Sequence, residues 1–562
     1  MRRIHLILLS WLLVIIDLTY ILHYPKFSYA EFGTNVLNTI PLLHWILLTA
    51  SSALLVLSMF RGRGRIIIIS GLLYGMLFYI TNLHFIVPYE QTDIWPSATI
   101  EFILSSGKIY SGTSYPLSYL SYPIFFTLVK NIILITGIGK ISIYSTGLFV
   151  FLGAFYVGLM FYYYDGDPRT AVLSLATYII LSFYVINDQL APQTLALVFL
   201  PYLYRLTLDI MKNTTLSKLV IMVILWLALV FTHPFMFLFY MLPLIGAILY
   251  ERVVIKRTSL GGTVIGAVLL IGGAGLTYVF FNNLLRAPLR RFINSLGKVK
   301  GETWWVIANF FKKMGSLGPV KYVPHPHYEL ISRPVVELQV WILRILLLAF
   351  LGIILYSFLS RIRRSISSRG IRPHPFQTVF EASIVVSSGF LFILGLVTTF
   401  LGQRVFQVAF IPLSRYLPDF KKSRALRYAF IIILIIVPVA YTFNTLTNLT
   451  VGPQLFVEDG HLIISGYFGN THIPSYSRVI VARELYPSQY PREIRKASFP
   501  RGPLTQKYFD YLYYSPKFKH AAEYYGVDGH YSLKSLTENV IYSNGIVEVI
   551  RPAPSENEVN SK

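Results

Sequence analysis

The chain has 562 residues, of which 54% are hydrophobic, 15% aromatic and only 13% charged, with a mean hydropathy of +0.58. Soluble domains carry about 25% charged residues, so this composition excludes an ordinary soluble enzyme and predicts a polytopic membrane protein. The formal charge of +23 predicts basic loops flanking a membrane rather than a nucleic-acid partner, and the absence of cysteine excludes disulfides and thiolate chemistry.

The N-terminal Met-Arg-Arg leads into an apolar run with no small-residue cleavage site, which predicts a retained helix over 5–22. A spanning helix needs about 20 mostly apolar residues. Further candidates follow at 39–59, 66–87, 141–163, 169–186, 192–210, 217–232, 234–251, 260–281, 336–358, 377–400, 404–419 and 427–447. The expectation is therefore about 13 transmembrane helices within a domain spanning 1–447. With the N-terminus cytoplasmic, the loops "RGRGR" (61–65), "DGDPR" (165–169), "MKNTTLSK" (211–218), "ERVVIKR" (251–257), "SRIRRSISSRGIR" (360–372) and "FKKSRALR" (420–427) all fall inside. That is the positive-inside pattern of a multi-pass cell-membrane protein.

This orientation puts 88–140, 282–335 and the C-terminal tail outside. The segment "SYPIFFTLVKNIILITGIG" (121–139) is short and interrupted by Lys130, so it is expected to lie in the interface plane. As a short true span it would invert everything downstream. The 282–335 segment carries "RAPLRR", Lys298, Lys300, Lys312 and Lys313 on the outside, against the rule, which long loops obey poorly. The tail, 448–562, is charge-balanced and rich in Tyr, Pro and Gly. Within it "ENVIYSNGIVEVIRP" (538–552) predicts two short strands around an Asn-Gly turn, hence a small mixed α/β extracytoplasmic domain, with "APSENEVNSK" as a disordered end.

Three acids, Glu90, Asp93 and Glu101, follow directly on the 66–87 run in "PYEQTDIWPSATIEFILSSGKIY". Together with the 121–139 segment, "NDQLAPQTLALVFLPYLYRL" (187–206), "FTHPFMFLFYMLP" (231–243) and the terminal "NVIYSNGIVEVI", the pattern resembles the GT-C superfamily of membrane glycosyltransferases. The resemblance covers nearly the whole chain through individually weak motifs. It implies a polyprenyl-phosphate-linked sugar donor, transfer at the outer face, and an acceptor that is a protein, lipid or polysaccharide. The departures are specific: Asp93 has no adjacent second acid and no Asp-x-Asp partner, and "WWVIA" at 304–308 is not the Trp-Trp-Asp signature of oligosaccharyltransferases.

The chemistry asks for the same residue types. Inverting transfer from a sugar phosphate needs one general base beside the acceptor hydroxyl, and phosphate is a competent leaving group without a strong acid. Asp93 is the candidate base. The leaving phosphate needs positive charge, for which Arg290, Arg291, Lys312, Lys313 and Arg404 in "FLGQRVFQ" are candidates. Glu90, Glu101, Asp188 and His233 are candidates for the acceptor or metal neighbourhood. No ligand cluster has diagnostic spacing, so a divalent ion such as Mg or Mn stays open. Plainer roles stand beside each: Asp93 as a loop acid or N-cap before Pro96, Asp188 as a cap, His233 as a helix-junction residue, Arg404 and the lysines at lipid headgroups. Arg344 and Glu381 fall inside predicted spans without an assignable role. The competing functions are a transporter or flippase of a lipid-linked solute, and a non-catalytic scaffold of an envelope glycosylation complex.

Overall fold

The computed structural model describes residues 2–23, 41–62, 64–80, 123–137, 142–182, 192–233, 236–250, 272, 275, 333–367, 375–398, 402–417 and 424–451, with short strands at 479–480, 511–514, 540–543 and 548–550. The described residues are predominantly helical: α1 (Arg2–His23), α2 (Leu42–Arg61), α3 (Arg65–Ile80), α4 (Pro123–Thr136), α5 (Ser142–Tyr163), α6 (Pro168–Leu181), α7 (Pro192–Lys212), α8 (Leu216–Thr232), α9 (Leu238–Tyr250), α10 (Arg333–Ser367), α11 (Pro375–Thr398), α12 (Gly402–Leu413) and α13 (Arg424–Val451). Each apolar run expected to be helical forms a helix here except 260–281, which lies outside the described residues save for 272 and 275. Among the described residues, four segments are long and apolar enough to cross a membrane: Leu42–Arg61, Pro192–Lys212, Ile345–Arg364 and Arg424–Thr442. The other apolar stretches are shorter.

The bundle is packed as a membrane protein would be, apolar within and apolar without. Leu12, Ile15, Ile345, Leu348, Val386, Phe390, Ile432 and Ile436 stand exposed on helix faces. So many large apolar side chains exposed on helix faces suit a hydrocarbon solvent. Inside, small residues bring helices together. A Cβ on Gly71 would lie 2.7 Å from a methyl of Val172, and one on Gly75 would lie 2.8 Å from the Tyr156 ring. Both glycines are on one face of α3, so they let it press against α6 and α5 at once.

Those contacts fix relative direction. Gly71 meets Val172 and Gly75 meets Ile179, so α3 and α6 run parallel, and the Arg169 guanidinium reaches the Gly62 carbonyl (3.4 Å) where both begin. The intervening α5 runs antiparallel to both. The end of α3 and the start of α5 therefore lie at the same end of the bundle, and α4 between them in sequence packs into the core, with Phe125 and Phe126 fully buried and the Phe125 ring against Phe151. The 14-residue α4, about 21 Å long at 1.5 Å per residue, is shorter than the roughly 30 Å of a bilayer's hydrocarbon core.

Prolines inside helices release carbonyls that hydrocarbon cannot satisfy, and tyrosines take their place. Pro438 in α13 frees the Leu434 carbonyl, which accepts from the Tyr74 hydroxyl at 2.7 Å, while the Ser52 hydroxyl donates to the next carbonyl, Ile435, at 3.0 Å. Pro243 in α9 frees the Phe239 carbonyl, which accepts from the Tyr204 hydroxyl at 2.7 Å. Tyr74 and Tyr204 are fully buried. These bonds tie α13 to α2 and α3, and α9 to α7.

In the C-terminal region, β1 (Val479–Ile480), β2 (Tyr511–Tyr514), β3 (Val540–Ser543) and β4 (Glu548–Ile550) form a sheet of order β1-β2-β4-β3. Strand β1 is parallel to β2, and the other pairs are antiparallel. Strands β3 and β4 flank Asn544-Gly545, where the sequence predicts a hairpin, with an irregular register between Val540 and Tyr542.

Candidate functional site

At the end of the bundle where α3 and α6 finish and α7 begins, a pocket of about 20 Å³ opens between α3, α5, α6, α7 and α12. That is room for one or two waters. Tyr79, Tyr156, Tyr178, Ser182, Thr194 and Gln407 supply its polar atoms, and Leu152, Phe155 and Leu197 its apolar wall. The Tyr156 hydroxyl donates to that of Tyr79 (3.4 Å), and the Ser182 hydroxyl donates back to the Tyr178 carbonyl (2.7 Å). Gly75 matters here, since only a residue without Cβ admits the Tyr156 ring at this depth. Pro201, one turn beyond Leu197, offers no N–H to the Leu197 carbonyl. Among the described residues no charged side chain lines the pocket. Its chemistry is that of neutral hydroxyl and amide groups on an aromatic floor.

The opposite end is charged. Glu381 on α11, 2% exposed, is enclosed by four donors: the hydroxyls of Tyr162 (3.1 Å) and Tyr416, the Gln377 amide (3.1 Å) and the Arg415 guanidinium (3.2 Å). Arg415 lies over the Tyr162 ring at 5.2 Å and also pairs with Asp165 in the α5–α6 turn. Asp165 is in turn bound by Arg205 (3.1 Å), which reaches Asp209 (3.2 Å) one turn along α7. The chain of alternating charges thus staples α5, α7, α11 and α12 together. Beside it Asp167 caps α6, accepting from the Thr170 hydroxyl (2.6 Å) and the backbone N–H groups of Arg169 and Thr170. Those bonds, the Thr170 hydroxyl first, hold its carboxyl below the usual carboxylate range. The basic turns at 61–65, 165–169, 211–218 and 360–364 all sit at this end, as the Arg169–Gly62, Arg205–Asp165, Lys218–Asp209 and Arg361–Tyr416 contacts require.

A third polar feature is internal. Asp17 of α1 and His44 of α2, both fully buried, meet at 2.7 Å, and the second Asp17 carboxylate oxygen has no hydrogen-bond partner. Sequence reasoning passed over both residues. The signal was an acid in the middle of "LLVIIDLTYIL", in a helix otherwise free of acids.

Most residues singled out from the sequence lie outside the described residues: Glu90, Asp93, Glu101, Asp188, Arg290, Arg291, Lys312 and Lys313. Arg404 is in the first turn of α12, with its side chain outside the description. His233 is buried at the C-cap of α8, its N–H bonded to the Leu229 carbonyl (2.9 Å) and its carbonyl accepting from Met236 (3.0 Å). Its backbone thus serves the helix junction, and its side chain is not among those lining the pocket. Glu381 gains the role that the sequence left open. The segments bearing Asp93 and Asp188 are joined in the chain to the pocket rim, since 81–122 follows Ile80 and 183–191 links Ser182 to Pro192. Among the described residues no group of three His, Asp or Glu side chains converges as a metal site. No protein-family model matches the chain, and no curated protein matches it.

Proposed function

We propose that this protein is a membrane glycosyltransferase that moves a sugar from a polyprenyl-phosphate carrier to an acceptor at the membrane face opposite its basic turns. The charged end is cytoplasmic in this reading, by the positive-inside rule. About 13 helices then span the membrane, and the C-terminal sheet belongs to a small extracytoplasmic domain. The observation that carries the reading is the uncharged, hydroxyl-lined pocket at the far end, whose rim continues in sequence into the segments bearing Asp93 and Asp188. A hydroxyl-bearing ligand suits that lining; the GT-C-like order of acids, Pro-Gln and His-Pro segments supports the same class.

In this mechanism the Asp93 carboxylate takes the proton of the acceptor hydroxyl as its oxygen attacks the anomeric carbon from the face opposite the phosphate. The new C–O bond forms as the old one breaks, and the polyprenyl phosphate leaves with the electron pair, so the configuration inverts. Arg404, Arg290, Arg291, Lys312 and Lys313 meet the phosphate charge. Mg or Mn is compatible with this chemistry, and no step requires it.

The test is transfer of labelled sugar from a panel of polyprenyl-phosphate donors to extracted envelope acceptors by the purified protein. Asp93→Asn should keep folding and donor affinity and lower transfer by at least about 100-fold, the lower end for loss of a general base. Glu90→Gln and Glu101→Gln should be milder. Near-normal turnover in Asp93→Asn would remove the base from the mechanism.

The enclosed Asp17–His44 pair favours a second reading, a transporter of a lipid-linked solute, because ionisable groups inside spanning helices mark solute or proton paths. Counterflow of a labelled lipid-linked sugar in proteoliposomes, without any sugar transfer, would support it over the enzyme.

A further inference from the structure

We propose that the pocket between α3, α5, α6, α7 and α12 receives the exocyclic hydroxymethyl group of a neutral hexose, and so selects hexose donors over pentoses, 6-deoxyhexoses and uronates. The inference rests on the glycosyltransferase reading and goes beyond it by naming the sugar class.

Size comes first. A pocket of about 20 Å³ holds one or two waters, too little for a pyranose ring. A hydroxymethyl group projects from the ring by a carbon and an oxygen, further than any ring hydroxyl, so it suits a recess of this volume while the ring stays outside. Polarity points the same way. Thr194, Gln407 and Tyr178 make the lining polar but uncharged, and the Leu197 carbonyl lacks its helical N–H partner because residue 201 is proline. The other two proline-released carbonyls described above are each capped by a buried tyrosine. A sugar hydroxyl is a donor of the kind that Leu197 would take. The Phe155 and Tyr156 rings provide the apolar wall for the methylene. Charge completes the selection. A uronate would bring a carboxylate against this lining, in which the described residues include no cation, and an uncompensated buried charge is costly.

The experiment uses the full-length protein in lipid nanodiscs with four synthetic polyprenyl-phosphate donors: a hexose, its 6-deoxy counterpart, the matching pentose and the matching uronate. Transfer kcat/KM and donor binding are measured for each. The expected result is a preference for the hexose of at least about 10-fold over the pentose and the 6-deoxy sugar, the scale of a missing group in a fitted site, with the uronate lower still. Leu197→Phe, which fills the space, should bring the hexose-to-pentose ratio close to one. The wild-type donor comparison stands even if that variant does not fold. Equal use of hexose and pentose, or a preference for uronate, overturns the pocket assignment while the transferase reading stands. Neither binding nor transfer with any donor overturns the transferase reading and this inference with it.

Discussion

Replacing Arg415 by methionine tests the charged end of the bundle. The side chain keeps its bulk and loses its charge, so Glu381 would remain 2% exposed with only two tyrosine hydroxyls and an amide for company. Removing one partner of a buried ion pair costs about 3–5 kcal/mol, or roughly 150- to 5,000-fold in the folding equilibrium. Little of that comes from the Asp165 side, because Asp165 is 48% exposed and keeps Arg205. The Arg205–Asp209 pair, with Asp209 25% exposed, sets the contrast. Asp209→Asn should cost about 0.5 kcal/mol, as i,i+4 pairs that keep some solvent contact do. The assay is unfolding of the reconstituted protein by steric trapping, followed by a double-mutant cycle. Glu381→Gln keeps an acceptor for the tyrosines and removes the orphaned charge, so in the Arg415→Met background it should recover at least half of the loss. A loss below about 1 kcal/mol in Arg415→Met alone, or no recovery in the double variant, would refute the idea that a desolvated charge is what Arg415 serves.

Tyr74→Phe should destabilise by about 1–3 kcal/mol through the stranded Leu434 carbonyl; adding Pro438→Ala, which restores a helical N–H, should recover most of it in the same assay. Asp167 has a depressed folded-state pKa, so its cap stabilises fully above the unfolded carboxylate value and is lost as pH falls through the folded one. Asp167→Asn should therefore flatten the acid limb of a stability–pH profile, and an unchanged slope would assign that limb to other carboxylates. Orientation is checked by impermeant thiol labelling of single cysteines in the cysteine-free chain: Ser111→Cys and Gln506→Cys should react in intact cells and Ser367→Cys should not. The reverse pattern would place the acidic loop in the cytoplasm.

How much could be read from the sequence differs by kind of feature. Helices were legible because about 20 apolar residues in a row have few other solutions, and all the described runs obey. The direction of α4 was not legible, since a 14-residue apolar segment fits an interface or a core equally. Its burial against α5, with Phe125 and Phe126 fully enclosed, is a product of packing that no local pattern announces. Glu381 was visible as an acid in a span, but its partners Tyr162 and Arg415 come from 219 residues upstream and from the turn that follows α12, a juxtaposition only packing creates. Asp17 was equally visible and was overlooked; His44 lies across the α1–α2 hairpin, 27 residues on. Prolines announce which carbonyls will be freed, but not which tyrosines will fill them. The pocket has no sequence signature at all, because its lining residues come from five helices and are ordinary hydroxyl, amide and apolar side chains. Asp93 and its companions were chosen on sequence, and they lie outside the described residues.

The separation of charge from neutral polarity follows from where each is tolerable. Ion pairs such as Asp165–Arg205 keep part of their hydration at the end of the bundle, so the basic turns and their acidic partners accumulate there. Among the described residues Glu381 and Arg415 carry that network inward, with both Glu381 carboxylate oxygens engaged by donors. At the other end, the described lining of the recess holds no cation, and a phosphate placed against that lining alone would be an uncompensated buried charge. If the protein uses a phosphate-linked donor, the phosphate must be met by groups outside this lining, which is the role proposed for Arg404 and the 282–335 segment. Recognition of the carrier and recognition of the sugar are then carried by different residues. Changes to Arg404 would alter affinity for every donor alike, whereas changes at Leu197 or Gln407 would alter the choice among sugars on the same carrier.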